Sequence, residues 1–147
     1  MQISPVTRND TGHLKCIARL AIMQSVPIPL TERAALLESI ALDIERSIDC
    51  ADVIYLKAGA EAPVGYVLIE ERWNLKHLFI APEHQGRNIG RSLLVAAMDM
   101  CRKNSPGEFI RVNSSLNAVG FYERLGFVVY EPQRPVPSFV VPMIFRF

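Results

Sequence analysis

The spacing of hydrophobic and polar residues changes several times along the chain, and each change marks the boundary of a secondary-structure element. Residues 2–7 have the character of a short strand, and residues 11–24 then place apolar side chains on one helical face. The segment 26–29 contains two prolines, which end that helix. A second helix is predicted from Thr31 to about residue 47. The first apolar stripe is Leu14, Ile17, Ala18 and Ala21, and the second is Ala34, Leu37, Ile40, Ile44 and Ile48.

Three short runs rich in β-forming residues follow, at 53–56, 64–69 and 75–80. Because only short links join them, the pattern predicts neighbouring antiparallel strands. A loop over 83–90, a helix to about Asn104 and a strand at 109–112 come next, and this order indicates a crossover between parallel strands.

The remaining residues predict a helix over 116–125, followed by a hairpin of 127–131 and 139–145. Gly126 stands where a helix commonly ends in a left-handed residue. Pro142 cannot donate a hydrogen bond, so we expect part of the last strand to be an edge or a bulge. The whole pattern predicts an α/β fold with a mixed sheet.

Composition narrows the classes of protein. The 147 residues, half of them hydrophobic and 21% charged, are typical of one globular domain over 1–147. No apolar run reaches the roughly 20 residues of a membrane helix, and the start does not resemble a signal peptide. We therefore expect a cytoplasmic protein without a membrane partner.

Charge and metal-ligand spacing remove further classes. A net charge of +1, without a basic stripe, argues against a nucleic-acid partner. The three cysteines and three histidines are too scattered to predict a metal site, and the cysteines are expected to be buried apolar residues. They are Cys16, Cys50, Cys101, His13, His77 and His84.

The segment Gln85–Arg91 is the first along the chain whose residues indicate a ligand-binding site. It lies between a predicted strand and a predicted helix, where unpaired N–H groups and the helix dipole favour an anion such as a pyrophosphate. Gly86 and Gly90 allow the backbone to approach a ligand, and Arg87 and Arg91 add positive charge. The segment contains neither a Walker sequence nor the dinucleotide fingerprint, and a plain turn with two glycines remains an alternative.

This segment resembles the acetyl-CoA loop of the GNAT acetyltransferases, whose pattern is Gln/Arg-x-x-Gly-x-Gly/Ala. Gln85 and Gly90 match its ends, and Asn88 stands at the usual middle glycine. Asparagine is the next-best residue for a left-handed backbone. A later segment, 115–127, resembles the family's Ala-x-x-Phe-Tyr-x-x-x-Gly-Phe helix. It matches at Ala118, Phe121, Tyr122, Gly126 and Phe127.

The resemblance implies a mixed, mostly antiparallel GNAT-like sheet with a splayed parallel pair of strands and about four helices. It implies acetyl-CoA as the cofactor, held along the strand that ends at Ile80, at the loop and at the late helix. A backbone N–H near Ile80 would polarise the thioester. The implied cofactor residues are Leu78, Phe79, Ile80, Gln85, Gly86, Arg87, Asn88, Ile89, Gly90, Arg91, Asn117 and Tyr122.

The family likeness further implies that Tyr122 is the general acid, since a phenol is protonated at neutral pH and can donate to the departing thiolate. The general base stays open among Glu70, Glu71 and His77. Strand alternation places Lys76 with Leu78 and opposite His77, unless a bulge intervenes.

The acceptor also stays open among a small amine, a protein N-terminus and a lysine. Two other classes remain alternatives: a catalytically weak acyl-CoA sensor, and an interaction domain without a ligand. The sequence leaves open whether the chain forms a homodimer.

Overall fold

The computed structural model describes all residues from Met1 to Phe147. Four helices and seven strands form, close to the periodic segments of the sequence. The helices are α1 (Thr11–Ser25), α2 (Leu30–Arg46), α3 (Ile89–Arg102) and α4 (Val119–Arg124). The strands are β1 (Ile3–Pro5), β2 (Val53–Ala58), β3 (Gly65–Glu70), β4 (Asn74–Ile80), β5 (Phe109–Ser115), β6 (Val128–Val129) and β7 (Val140–Arg146).

All seven strands belong to one sheet in the order β1-β2-β3-β4-β5-β7-β6. Every neighbouring pair is antiparallel except β4 and β5, whose connection runs through α3. The expected α/β fold with one parallel pair is therefore confirmed. None of the helices combines the length and apolar character that crossing a membrane requires.

The sheet separates two groups of buried apolar side chains. Alternation along β3 explains this division, since Val67 and Ile69 pack with α3 on one face while Tyr66 and Leu68 pack with α1 and α2 on the other. Helix α4 and Tyr122 lie on the α3 face. A ligand that touches α1, α2 and α4 at once must therefore pass through the sheet.

Of two expectations about the C-terminal third, one was wrong. Strand β6 pairs only with Met143 and Ile144, so the part of β7 from Val140 to Pro142 is an edge, as expected. Pro142 forms no bulge in its pairing with β5. Its carbonyl accepts from the Tyr130 N–H, so its missing N–H faces the end of the two-residue strand β6, where little pairing is lost. The helix predicted over 116–125 begins only at Val119, because residues 115–118 form a turn closed by the Ala118 N–H on the Ser115 carbonyl.

The predicted stripe of α2 also needs one correction. Ala34 is exposed, whereas Ile40 and Ile44 are buried as expected. The buried face of α2 instead includes Asp43, a charged residue within the apolar stripe.

Candidate active site

The parallel strands β4 and β5 separate soon after they meet. They pair only at Asn74 with Arg111 and at Leu75 with Val112, and the residues beyond diverge. A cavity of about 590 Å³ fills the opening and is lined from both faces of the sheet. Ile22 of α1 and Ile40 of α2 contribute on one side, and Tyr122 of α4 contributes on the other. The cavity therefore runs through the sheet.

A β-bulge in β4 determines which side chains meet this cavity. Leu68 pairs with His77 while Ile69 pairs with Leu75, so Lys76 is an extra residue on β4. Simple alternation would place Lys76 opposite His77. The bulge instead places both side chains against Asp43 of α2.

Asp43 is buried, lines the cavity and is the centre of a group of polar side chains. Its Oδ1 accepts from Arg46 at 2.8 Å and from Lys76 at 3.2 Å, and its Oδ2 lies 3.3 Å from His77 Nε2. Burial alone would raise the pKa of Asp43, but the His77 and Arg46 hydrogen bonds and the Lys76 charge outweigh burial and hold that pKa well below its usual range. Asp43 is therefore a carboxylate at neutral pH.

His77 is held on both sides of its ring. Because the Asp43 carboxylate can only accept, Nε2 carries the hydrogen, and Nδ1 then accepts from the Tyr66 hydroxyl at 3.1 Å. Burial raises the pKa of Tyr66 well above its ordinary value, which keeps that hydroxyl protonated. Both ring nitrogens of His77 are therefore hydrogen-bonded within the protein.

Tyr122 is buried but lines the cavity. Its ring packs edge-on against Phe121 and Phe127, at centroid distances of 5.1 and 5.4 Å. Burial raises the pKa of Tyr122 above its ordinary range. The phenol is therefore protonated at every pH near neutrality and is available as a donor.

The start of α3 carries a run of free backbone donors. The N–H groups of residues 86–91 donate to no carbonyl of the protein. Asn88 adopts the left-handed conformation with φ 63°, and Gly86 has φ 79°. A second cavity, of about 510 Å³, lies against these residues and against Arg91 and Arg124. Free N–H groups, the helix dipole and two guanidinium groups together suit a phosphate.

The two cavities share Ile80, Gln85, Gly90 and Phe121 in their walls. A family model described as the acetyltransferase (GNAT) domain matches residues 38–143, which contain most of this site. The chain belongs to this family.

Solved structures support the fold of this GNAT domain over its full length. A GCN5-related N-acetyltransferase from Rhodopseudomonas palustris is 19% identical, with a TM-score of 0.84 over 99% of this chain and 95% of its own. The PaiA N-acetyltransferase from Thermoplasma acidophilum, solved in complex with coenzyme A, is 21% identical, with a TM-score of 0.78 over 99% and 98%. No curated protein matches the sequence.

Most of the residues predicted to bind the cofactor line the two cavities of the GNAT domain. The cavity through the sheet is lined by Leu78, Phe79, Ile80, Gln85, Gly90, Asn117 and Tyr122, and the cavity at α3 by Ile80, Gln85, Gly86, Asn88, Ile89, Gly90 and Arg91. Arg87 lines neither. The Asn117 amide is already engaged, since Nδ2 donates to the Ser25 carbonyl at 2.6 Å and Oδ1 accepts from the Ser115 hydroxyl at 2.8 Å.

The candidate bases differ in whether they line the cavity. Glu71 lies exposed in the β3–β4 turn, accepts from Trp73 Nε1 at 3.0 Å and does not line the cavity. Glu70 accepts from Lys76 at 2.9 Å and does not line it either. His77 does line it, with both ring nitrogens engaged as described above.

Two residues at the site were not predicted from the sequence. Asp43 is the only carboxylate that lines the cavity through the sheet, and its signal was a lone charge within the apolar stripe of α2. Arg124 faces the start of α3 and lies one helical turn after Phe121, which lines both cavities.

Proposed function

We propose that this GNAT domain is an N-acetyltransferase that moves the acetyl group of acetyl-CoA to a primary amine. One observation carries the proposal: a single opening through the sheet adjoins a donor-rich helix start and contains a protonated phenol. The opening draws side chains from Ile22 to Val140, so we treat residues 1–147 as one catalytic domain.

The residues present fit coenzyme A. Six successive unpaired N–H groups suit its pyrophosphate, and Arg91 and Arg124 add positive charge. Beyond Leu75, β4 has no pairing partner on the β5 side, so its free backbone can bind the extended pantetheine arm as a further strand would. When bound, acetyl-CoA supplies an acetyl group activated as a thioester.

In this proposal Tyr122 donates a hydrogen bond to the sulfur as the thiolate departs. A phenol with a raised pKa is a weaker acid than an ordinary tyrosine, so we infer that it stabilises the developing charge by hydrogen bonding before any proton moves. Backbone N–H groups of the free β4 segment polarise the thioester carbonyl.

We assign no protein side chain as the base. Glu70 and Glu71 lie outside the cavity, and His77 has no free ring nitrogen. We infer that solvent water takes the acceptor's proton, since exposed residues such as Ser39 and Pro137 line the cavity and admit solvent. His77 and Lys76 then serve to position Asp43.

The test is release of free thiol from acetyl-CoA in the presence of a panel of primary amines, run beside a thermal-shift titration with acetyl-CoA. Thiol release that depends on an amine, together with a raised melting temperature, supports the proposal. A raised melting temperature without thiol release from any amine would indicate an acyl-CoA sensor. No stabilisation at all would indicate an interaction domain.

A further inference from the structure

We propose that the acceptor of this domain is a primary monoamine with an apolar body, and not a polyamine or other polycation. The inference rests on the function proposed above and names the substrate class of the same site. Coenzyme A is assigned to the β4–β5 opening and to the start of α3. The inference follows from the composition and the charge of the rest of the cavity wall.

The remaining wall is largely apolar. It is formed by the end of α1, the segment after it, one face of α2 and the loop before β7. Of the ten lining residues in these four segments, six are hydrophobic. The apolar side chains on this wall include Ile22, Val26, Ile28, Leu36, Ile40 and Phe139. An alkyl or aryl body gains free energy by leaving water for such a wall, about 25 cal/mol for each Å² buried.

Few charges face this wall, and they are already paired. Asp43 and Lys76 are the only permanently charged side chains that line the cavity. Asp43 accepts hydrogen bonds from Arg46, Lys76 and His77, while Lys76 also donates to Glu70 at 2.9 Å. Each carboxylate oxygen has two lone pairs, and Oδ2 of Asp43 uses only one within the protein. Asp43 is therefore the only group of full negative charge that the cavity offers to an amine.

A second ammonium on the acceptor finds no second carboxylate in the cavity. Among the aliphatic side chains it would lose hydration, and beside Asp43 it would lie near the positive Lys76. The cavity thus favours one amine on an apolar body.

Hexylamine and hexamethylenediamine form a matched pair of probes, because they share the same chain and differ by one terminal amine. With saturating acetyl-CoA, we expect kcat/KM for hexylamine to exceed that for hexamethylenediamine about 10-fold or more. Spermidine should be poorer still. A diamine or spermidine that equals or exceeds hexylamine would overturn the inference and leave the proposed transfer reaction intact.

A cavity variant provides a second readout. Ser39 is exposed and lines the apolar wall, so Ser39→Asp adds a carboxylate where a second ammonium would lie. We expect Ser39→Asp to lower the ratio of kcat/KM for hexylamine to kcat/KM for hexamethylenediamine at least 3-fold. Ser39→Asn introduces a neutral side chain of the same size as aspartate and should leave that ratio unchanged. A ratio that Ser39→Asp does not alter, with both variants folded by circular dichroism, contradicts the assignment of this wall to the acceptor. Failure of every amine to release thiol, while acetyl-CoA still stabilises the protein, overturns the transfer reaction and the acceptor class together.

Discussion

The Tyr122 hydroxyl lines the cavity and is protonated at neutral pH, so it can donate a hydrogen bond to a departing thiolate. We expect Tyr122→Phe to lower the rate of the chemical step about 100-fold, since this donor acts mainly in the transition state. The affinity for acetyl-CoA should change little, because the ring remains and packs against Phe121 and Phe127. Single-turnover transfer and direct binding on the same protein measure both. An unchanged chemical rate would remove Tyr122 from the mechanism.

The raised pKa of Tyr122 gives a separate expectation about pH. The donor form of a phenol is the protonated one, and burial extends that form to higher pH than in an ordinary tyrosine. The ratio of chemical rates between the parent and Tyr122→Phe should therefore stay constant from about pH 7 to about pH 9.5. A ratio that falls toward unity within this range would show that the hydroxyl ionises there and that the site is less buried than the structure indicates.

Asp43 should contribute to stability as well as to the cavity. Its pKa is lowered in the folded protein, so its contribution is present above the unfolded pKa of about 3.9 and is lost as the pH falls toward the folded value. We expect Asp43→Asn to reduce the free energy of unfolding by about 1–3 kcal/mol at pH 7, and the difference to shrink below about pH 4. Urea unfolding at several pH values measures it. Asp49→Asn, at an exposed pair with Arg8, is the matched control and should cost less than about 1 kcal/mol.

At the scale of elements, the positive end of the α3 dipole affects both the stability of the helix and the proposed binding of phosphate. Gly90 lies in the first turn of α3, where an added Cβ would meet its nearest neighbours at ordinary contact distances of 3.6 and 3.7 Å. Gly90→Asp should keep or raise the melting temperature of the free protein, because a negative charge near a helix start is favourable. It should abolish the stabilisation by acetyl-CoA, because that charge lies at the proposed phosphate position.

The control for this charge effect is Gly90→Asn, which has the same size and no charge. We expect it to retain more of the acetyl-CoA stabilisation than Gly90→Asp does. Equal losses in the two variants would attribute the effect to size alone. Retention of the full thermal shift by Gly90→Asp would contradict a pyrophosphate site at α3.

Asn88 tests the backbone of the same loop. Its φ of 63° lies in the left-handed region, which glycine adopts freely, asparagine tolerates and alanine resists. Asn88→Gly should bind acetyl-CoA at least as tightly as the parent, while Asn88→Ala should lower stability by about 1 kcal/mol. Differential scanning fluorimetry with and without acetyl-CoA gives both values. A clear loss of affinity in Asn88→Gly would mean that the Asn88 side chain itself contacts the ligand.

The elements that could be predicted are those that a local, periodic pattern of apolar residues marks in the sequence. Apolar spacing located α1 and α3, and the crossover through α3 implied the parallel pair β4–β5. The bulge at Lys76 was not predictable in position, because it depends on how β4 pairs with β3 and not on residue type. The role of Asp43 was hidden for the same reason, since a charge on a helical stripe acquires its partners only when α2 docks on the bulged strand.

At the scale of the whole molecule, the end of α1 is held on both sides of the opening. The Ser25 carbonyl accepts from the Asn117 amide at 2.6 Å, and the Ser25 hydroxyl lies 3.4 Å from the Gln85 amide nitrogen. Asn117 follows β5 and Gln85 follows β4, so these contacts join α1 to both diverging strands. The proposed acceptor wall and the proposed cofactor site thus adjoin the same helix end, and we expect ligand binding at the opening to stabilise both layers together.

The size of that stabilisation distinguishes the contribution of the phosphate site at α3 from that of the β4–β5 opening. At a concentration about 100 times its Kd, acetyl-CoA should add about 2.7 kcal/mol to the free energy of unfolding. For a chain of 147 residues this corresponds to a rise in Tm of about 5–10 °C. ADP carries the pyrophosphate but lacks the pantetheine arm, so at the same concentration it should give a smaller shift, which Gly90→Asp should remove. Equal shifts from ADP and acetyl-CoA at matched subsaturating concentrations would show that the β4–β5 opening adds nothing to binding, and would contradict the assignment of that opening to the acyl donor.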